Sequence, residues 1–125
     1  MTLRDGVLAT LNSLCERTSI SVADDGDIAV WLGEIPVWVR VHESPAAVTI
    51  YRQVVDEVPA SFALNEKLND LNDRLVVFRA LRDDEKVFLR ADMPAVPFSG
   101  EHLQSVLETF QAEADALAED LKETQ

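Results

Sequence analysis

The spacing of apolar residues alternates between a helical and a strand period along the chain. Apolar side chains recur at three- and four-residue intervals over residues 3–17, 60–72 and 100–122, which predicts three amphipathic helices. Elsewhere apolar and polar residues alternate, which predicts strands because successive strand side chains point to opposite sides of a sheet. The predicted strands cover residues 20–22, 28–32, 36–42, 47–55, 74–82 and 86–92. The apolar seam of the last helix comprises Leu103, Val106, Leu107, Phe110, Ala114, Leu117 and Leu121.

Short turn signals separate the strands. Gly26 follows two aspartates of the acidic run at 24–27, and an Asp-Gly pair between alternating segments is a strong hairpin signal. Hairpin-linked strands predict an α+β fold with an antiparallel sheet and the order α-βββ(β)-α-ββ-α, in which the bracket marks the short segment near Ile20. The terminal helices are expected to pack on one sheet face. At 125 residues, the chain is expected to form one domain, 1–125.

The alternation divides the predicted sheet into two faces of different composition. The first face is aliphatic and comprises Ile28, Val30, Leu32, Val37, Val39, Val41, Val48, Ile50, Leu75, Val77, Leu81, Val87 and Leu89. The second face collects aromatic residues among polar ones, and its candidate partner-binding residues are Trp31, Trp38, Arg40, Tyr51, Phe78, Phe88 and Arg90. Aromatic side chains mixed with arginine are typical of protein interfaces. The alternative is cross-strand aromatic packing that only stiffens the sheet.

Three asparagines form a stripe on the second predicted helix. Asn65, Asn69 and Asn72 are four and three residues apart, beside the leucines at 64, 68 and 71. Asparagine is a mediocre helix former, so three in register suggest side-chain hydrogen bonds across a helix–sheet or subunit contact. A plain polar helix edge would give the same pattern.

Charge and composition exclude several classes of partner. With 11 basic and 23 acidic residues, the net charge is −12, which repels nucleic acid and anionic lipid and favours basic protein partners. The apolar runs are shorter than the roughly 20 residues that cross a bilayer, and the N-terminus shows no signal-peptide pattern. A single cysteine, Cys15, cannot form an internal disulfide. A cytoplasmic location is therefore expected.

The sequence offers no pattern that supports catalysis. The two histidines, His42 and His102, lack paired-ligand spacing, and Cys15 lies on the apolar side of the first predicted helix. The acidic runs at 24–27 and 83–85 lack the ligand order of a calcium loop and are interpreted as solvated hairpin turns. We therefore expect no enzyme activity, no cofactor and no bound metal.

Two segments and the last helix carry a family resemblance. The segment Leu-Asn-Glu-Lys-Leu-Asn-Asp-Leu-Asn at 64–72, the segment Val-Phe-Leu-Arg-Ala-Asp-Met-Pro at 87–94 and the acidic helix from Leu103 to Leu121 resemble the bacterial YbjN-like family of sensory transduction regulators. That family is similar in fold to the class I type III secretion chaperones, whose order is α-βββ-α-ββ-α. The resemblance implies a peptide- or protein-binding chaperone or adaptor, commonly a homodimer, and supplies no catalytic residues. The additional strand near Ile20 departs from the family pattern.

These observations give one leading functional hypothesis and two alternatives. The first is a non-catalytic chaperone or adaptor of the bacterial cytoplasm that binds a protein or peptide client, with apolar pockets for affinity and an acidic rim that favours basic clients. The second is a regulatory domain that senses a small ligand in a pocket beneath the helices. The third is a purely structural homodimer.

Overall fold

In the described part of the chain, three helices and six strands follow one another in the order that the sequence predicts. The computed structural model describes residues 2–14, 19–32, 35–55, 62–74, 78–83 and 85–122. The helices are α1 (Leu3–Leu14), α2 (Phe62–Arg74) and α3 (Gly100–Lys122). The strands are β1 (Ser19–Val22), β2 (Ile28–Trp31), β3 (Val37–Glu43), β4 (Ala46–Val55), β5 (Phe78–Asp83) and β6 (Lys86–Pro94). The predicted fold class is confirmed, and the short segment near Ile20 is a strand.

All six strands form one antiparallel sheet, in the order β1-β2-β3-β4-β6-β5. The turn between β1 and β2 needs Gly26, whose φ of +93° lies in the left-handed region that glycine adopts without steric cost. Gly26 N donates to the carbonyl of Ala23, and Asp27 N donates to Asp25 Oδ1 over 3.0 Å. The turn therefore closes with local hydrogen bonds and fixes the register of the first hairpin.

One sheet face carries the core, because the register aligns aliphatic side chains across neighbouring strands. Ile28 lies opposite Val39, Val39 opposite Ile50, and Ile50 opposite Ala91. All four residues are buried in a single apolar cluster that also contains side chains from α1, α2 and α3. In the described part of the chain, α1 packs on β3, α3 on β4 and α2 on β5. We call the opposite side of the sheet the open face.

The last helix begins at a cap that the sequence predicts. His102 N donates to Ser99 Oγ over 3.2 Å, which satisfies one of the backbone donors that a helix start leaves free. The predicted seam of α3 is buried except for the half-buried Val106. At its centre Phe110 is fully buried, and its ring meets Phe78 edge to face at 5.6 Å between centroids. The helix is also too polar to cross a bilayer, and no other helix in the described ranges is long and apolar enough to do so.

The predicted faces of the fifth strand are wrong. Phe78, expected beside the aromatic residues, lies opposite Ala91 on the helix side, whereas Leu81, expected in the core, lies opposite Phe88 on the open face. A shift of one residue exchanges the two faces of a strand. The orientation found here places the large ring of Phe78 in the core, where it contacts Phe110. Arg74, predicted to start this strand, ends α2 instead.

Three further expectations concern residues near the strand and helix ends. Leu32, predicted to lie in the core, follows the end of β2 and is 36% exposed. Leu75 and Val77 of the predicted aliphatic face fall outside the described residues. Cys15, with the predicted end of the first helix at 15–17, also falls outside them.

Truncating Phe110 tests the packing of α3. We expect Phe110→Ala to lower the free energy of unfolding by about 3–5 kcal/mol, because it removes a buried ring and leaves a cavity beside Phe78. Urea denaturation followed by circular dichroism measures the change. The exposed neighbour Thr109 is the control, and Thr109→Ala should change the value by less than about 0.5 kcal/mol. Equal stability of the two variants would contradict the assigned helix face.

Candidate protein-binding surface

The open face gathers the aromatic residues of four strands. Trp38 lies opposite Tyr51, and Tyr51 lies opposite Arg90 on β6. Trp31 is 39% exposed at the end of β2, and Phe88 is half-buried two residues from Arg90. Six of the seven predicted partner-binding residues therefore share this face, and Phe78 does not. We call these six the aromatic surface; they are Trp31, Trp38, Arg40, Tyr51, Phe88 and Arg90.

Stacking and a cation–π contact fix the centre of the aromatic surface. The rings of Trp38 and Tyr51 are nearly parallel, with an interplanar angle of 14° and 6.4 Å between centroids. The guanidinium of Arg40 lies 5.5 Å from the centroid of the Tyr51 ring. Because each side chain supports the next, the surface is preorganised and loses little side-chain freedom when a partner covers it.

A carboxylate that sequence reasoning missed holds this cluster in place. Asp27, predicted to be a solvated turn residue, is buried, whereas Asp24 and Asp25 in the same turn are exposed. Arg40 donates to it through Nε over 3.0 Å and through Nη2 over 2.8 Å, and Tyr51 Oη donates to Oδ2. The position of Asp27 in the sequence could have revealed this contact. Asp27 directly precedes Ile28, which lies opposite Val39, so the hairpin register places Asp27 beside Arg40.

The Asp27 network shifts the ionisation of its members. The hydrogen bonds from Arg40 lower the pKa of the Asp27 carboxyl despite its burial. The same hydrogen bonds raise the pKa of the Arg40 guanidinium. Burial, supported by the bond to Asp27, raises the pKa of Tyr51 to about 12. The cluster therefore remains an Arg⁺–Asp⁻ pair with a neutral tyrosine hydroxyl near neutral pH.

A second polar chain crosses the open face beside the aromatic rings. His42 Nε2 and Thr49 Oγ1 are 3.0 Å apart, and Thr49 Oγ1 donates to Asp92 Oδ1. Arg90 also donates to Asp92, with 3.1 Å between Nε and Oδ2. Burial alone would raise the pKa of Asp92, but the hydrogen bonds from Arg90 and Thr49 lower it. His42 thus has a side-chain partner on the sheet.

One residue of the asparagine stripe forms hydrogen bonds with the edge strand of the sheet. Asn72 Nδ2 donates to the carbonyl of Ala80 over 2.8 Å, and Ala80 N donates to Asn72 Oδ1 over 2.7 Å. The side-chain amide thus pairs with β5 as a neighbouring strand would, on the edge that β6 leaves open. Of the contacts predicted for this stripe, Asn72 makes the helix–sheet one. Asn65 and Asn69 are exposed, and their subunit contact stays a prediction.

On the helix side, a cavity separates the ends of α2 and α3. Its volume is about 540 Å³, its floor includes Leu71, Leu89 and Leu117, and Glu113 and Asp120 lie at its rim. The size falls in the range of small-ligand pockets. Across the described ranges, histidine, cysteine and carboxylate side chains do not gather in groups of three that could hold a metal ion.

Removing the Asp27 carboxylate tests the network. We expect Asp27→Asn to lower the free energy of unfolding at pH 7 by about 1–3 kcal/mol, since a buried charge-assisted partner is lost. The pKa of Asp27 is lower in the folded than in the unfolded chain, so its contribution is present above the unfolded value and disappears as the pH falls through the folded value. The difference between parent and variant should therefore shrink below about pH 4.

Urea titrations at pH 7 and pH 3 measure this difference. Asp24→Asn changes an exposed carboxylate of the same turn and should leave stability within about 0.5 kcal/mol at both pH values. A difference for Asp27→Asn that is unchanged at pH 3 would show that packing, not ionisation, causes it.

Asn72→Ala tests the edge contact. The variant leaves the N–H and the carbonyl of Ala80 without their side-chain partner, and we expect a loss of about 1–3 kcal/mol in the free energy of unfolding. An uncovered edge strand can also pair with other chains, so concentration-dependent association should increase. Denaturation and sedimentation velocity measure the two effects. Asn69→Ala, three residues away and exposed, is the control, and similar behaviour of both variants would refute an edge-specific role.

Comparison with known proteins agrees with this geometry. The chain matches, over residues 1–124, the model of the TY-Chap1 family, described as T3SS (YopN, CesT) and YbjN peptide-binding chaperone 1. It superposes on a chain in the crystal structure of the ExsC–ExsE complex with a TM-score of 0.77, covering 95% of this chain and 96% of that one. The two sequences are 18% identical, so this likeness establishes the fold. No curated protein matches the sequence. The predicted resemblance is thus confirmed, and the chain belongs to the TY-Chap1 family of peptide-binding chaperones.

Proposed function

We propose that this chain is a non-catalytic chaperone or adaptor of the bacterial cytoplasm that binds a segment of a client protein on its aromatic surface. The family supports the peptide-binding role, and one solved structure of similar fold is that of a complex, ExsC–ExsE. The observation that carries the proposal is the uncovered, preorganised Trp38–Tyr51–Arg40 cluster on the open face. Neither the family nor the fold points to catalysis.

The form of the surface suits an extended client. In the described part of the sheet, β1 pairs with a neighbour on one side only, so its outer edge can donate and accept backbone hydrogen bonds. Ser19 of this edge strand lies opposite Trp31, which places the edge next to the aromatic surface. A client strand added at β1 could therefore continue across the rings of the open face. Backbone pairing would provide affinity, and the aromatic pockets would provide specificity.

Charge and symmetry belong to the same proposal. The acidic residues of α3 line the side of the molecule opposite the aromatic surface, and basic segments of a client are expected to contact them. A homodimer would bring two aromatic surfaces to one client, with Asn65 and Asn69 of α2 as the proposed subunit contact. Two linked surfaces raise the effective concentration of the second binding event and so the overall affinity.

Substitution of Trp38 tests the surface. We expect Trp38→Ser to leave the fold intact, because the side chain is only half-buried, and to weaken client binding about tenfold or more, as loss of an interface aromatic anchor does. The client is first identified by purification from the native cytoplasm. Its purified binding segment is then titrated calorimetrically into parent and variant, while circular dichroism reports the fold and sedimentation the oligomeric state.

A matched variant separates this surface from general apolar exposure. Val96 is 77% exposed outside the strands, and Val96→Ser should leave client affinity unchanged. Unfolding of Trp38→Ser would show that Trp38 belongs to the core. Unchanged client binding by Trp38→Ser, with loss in the cavity variant Ala116→Trp, would move the client site from the aromatic surface to the cavity.

A further inference from the structure

Two arginines face each other on the open face. The register places Arg79 of β5 directly opposite Arg90 of β6, in the row that continues through Tyr51 to Trp38. Like charges directly opposite in a sheet are destabilising. The next charged pair of the same hairpin, Asp83 opposite Lys86, is complementary. The arginine pair therefore lowers the stability of the hairpin. The pair Asp83–Lys86 shows that the same two strands also carry opposite charges across from each other.

A single carboxylate compensates the pair only in part. Arg90 donates to Asp92, whose other contact is the Thr49 hydroxyl. The salt bridges of the described residues do not include Arg79, which is exposed. Asp92 thus pairs with Arg90, and the positive charge of the exposed Arg79 has no salt bridge among the described residues.

The charge of the open face differs from that of the whole molecule. By strand register, its charged residues are Arg40, Arg79, Lys86, Arg90, Asp27, Asp83 and Asp92. Among the described strand residues, four cations and three carboxylates nearly balance, and Asp25 of the adjoining turn is close enough to act on Tyr51, in a chain of net charge −12. By contrast, α3 exposes carboxylates along most of its length, and its sequence has six acidic residues and one lysine. The arginine pair therefore lies on a nearly neutral side of the molecule, opposite an acidic helix.

We propose that the Arg79–Arg90 pair binds a carboxylate side chain of the client, while Tyr51 and Trp38 bind an apolar side chain of the same segment. This inference rests on the proposed function and specifies its client as an acidic–apolar peptide at this face. The planar guanidinium suits a carboxylate because it donates two parallel hydrogen bonds. Strands are about 4.8 Å apart, so Trp38 and Arg79 are separated by about 14 Å across the row. An extended peptide spans that distance with about four residues.

The two native tryptophans provide the readout. Trp31 and Trp38 are the only tryptophans of the chain, and both belong to the aromatic surface. Three eight-residue peptides without tryptophan alternate the same apolar residues with Glu, Gln or Lys. Each is titrated into the full chain, and the change in tryptophan fluorescence gives its Kd. We expect the Glu peptide to bind most tightly and to weaken as salt is added.

Arginine variants test the assignment to the pair. Arg79→Gln should weaken the Glu peptide roughly three- to fivefold, as expected for an exposed ion pair, and leave the Gln peptide unchanged. Arg79→Lys should recover part of the loss by retaining the charge. Because the substitution removes a like-charge contact, the melting temperature of Arg79→Gln should stay constant or rise by about 1–3 °C. The control is Arg74→Gln, an exposed arginine of α2 away from this face.

The outcomes separate this inference from the proposed function. Equal affinities for the three peptides, or tightest binding of the Lys peptide, would overturn the arginine assignment and leave peptide binding intact. No fluorescence change with any peptide would overturn both. A shift of sedimentation by Arg79→Gln without a change in Glu-peptide affinity would show that a second copy of the chain occupies the pair, and would also overturn the inference.

Discussion

The contact between α3 and the helix side of the sheet is the interaction on which the rest of the structure depends. Phe110 lies fully buried at its centre and meets Phe78 of the edge strand β5. Because α1 and α2 also bury their apolar sides in this one cluster, the three helices together cover one face of the sheet. Burial at about 25 cal/mol per Å² of apolar surface favours this segregation strongly. The opposite face is left to the solvent or to a partner.

The open face combines two properties that usually conflict. Exposed aromatic rings favour association with other proteins. Mobile rings would instead pack against one another and lose the shape that a partner binds. Here Asp27 binds Arg40 and Tyr51, Arg40 lies over the Tyr51 ring, and Trp38 stacks on that ring. The buried carboxylate therefore stabilises the geometry of a surface that it does not itself present. A peptide-binding chaperone benefits from such order, since little entropy is lost on binding.

The two outer edges of the sheet differ from each other, and so do the charges on its two sides. Asn72 closes the outer edge of β5 with a side-chain amide, whereas β1 pairs on one side only within the described residues, next to Trp31. Acidic side chains dominate α3, and the arginine pair lies on the open face. One end of the described sheet is thus protected from strand addition by a side chain, and the proposed client strand would add at the other end. Protection of one edge limits association between the edges of two sheets.

The sequence by itself determined the element order, the antiparallel sheet and the aliphatic face of β2, β3 and β4. Long alternating runs and a capped helix carry that information locally, because side-chain period and turn chemistry act over a few residues. The same alternation placed Trp38 and Tyr51 together, and the resemblance pointed to the family that the chain matches. Six of the seven predicted surface residues followed from pleat parity alone.

Tertiary structure decided what depends on contacts between distant residues. In β5 both parities offered apolar side chains, and only the packing of Phe78 against Phe110 selected one of them. Asp27 looked like any acidic turn residue until the register brought it beside Arg40. Asn72 acquired its role from the edge position of β5, and the arginine pair from the alignment of β5 with β6. Local sequence encodes the period of a strand, whereas its partner, register and buried charges are set by the packing of the whole chain.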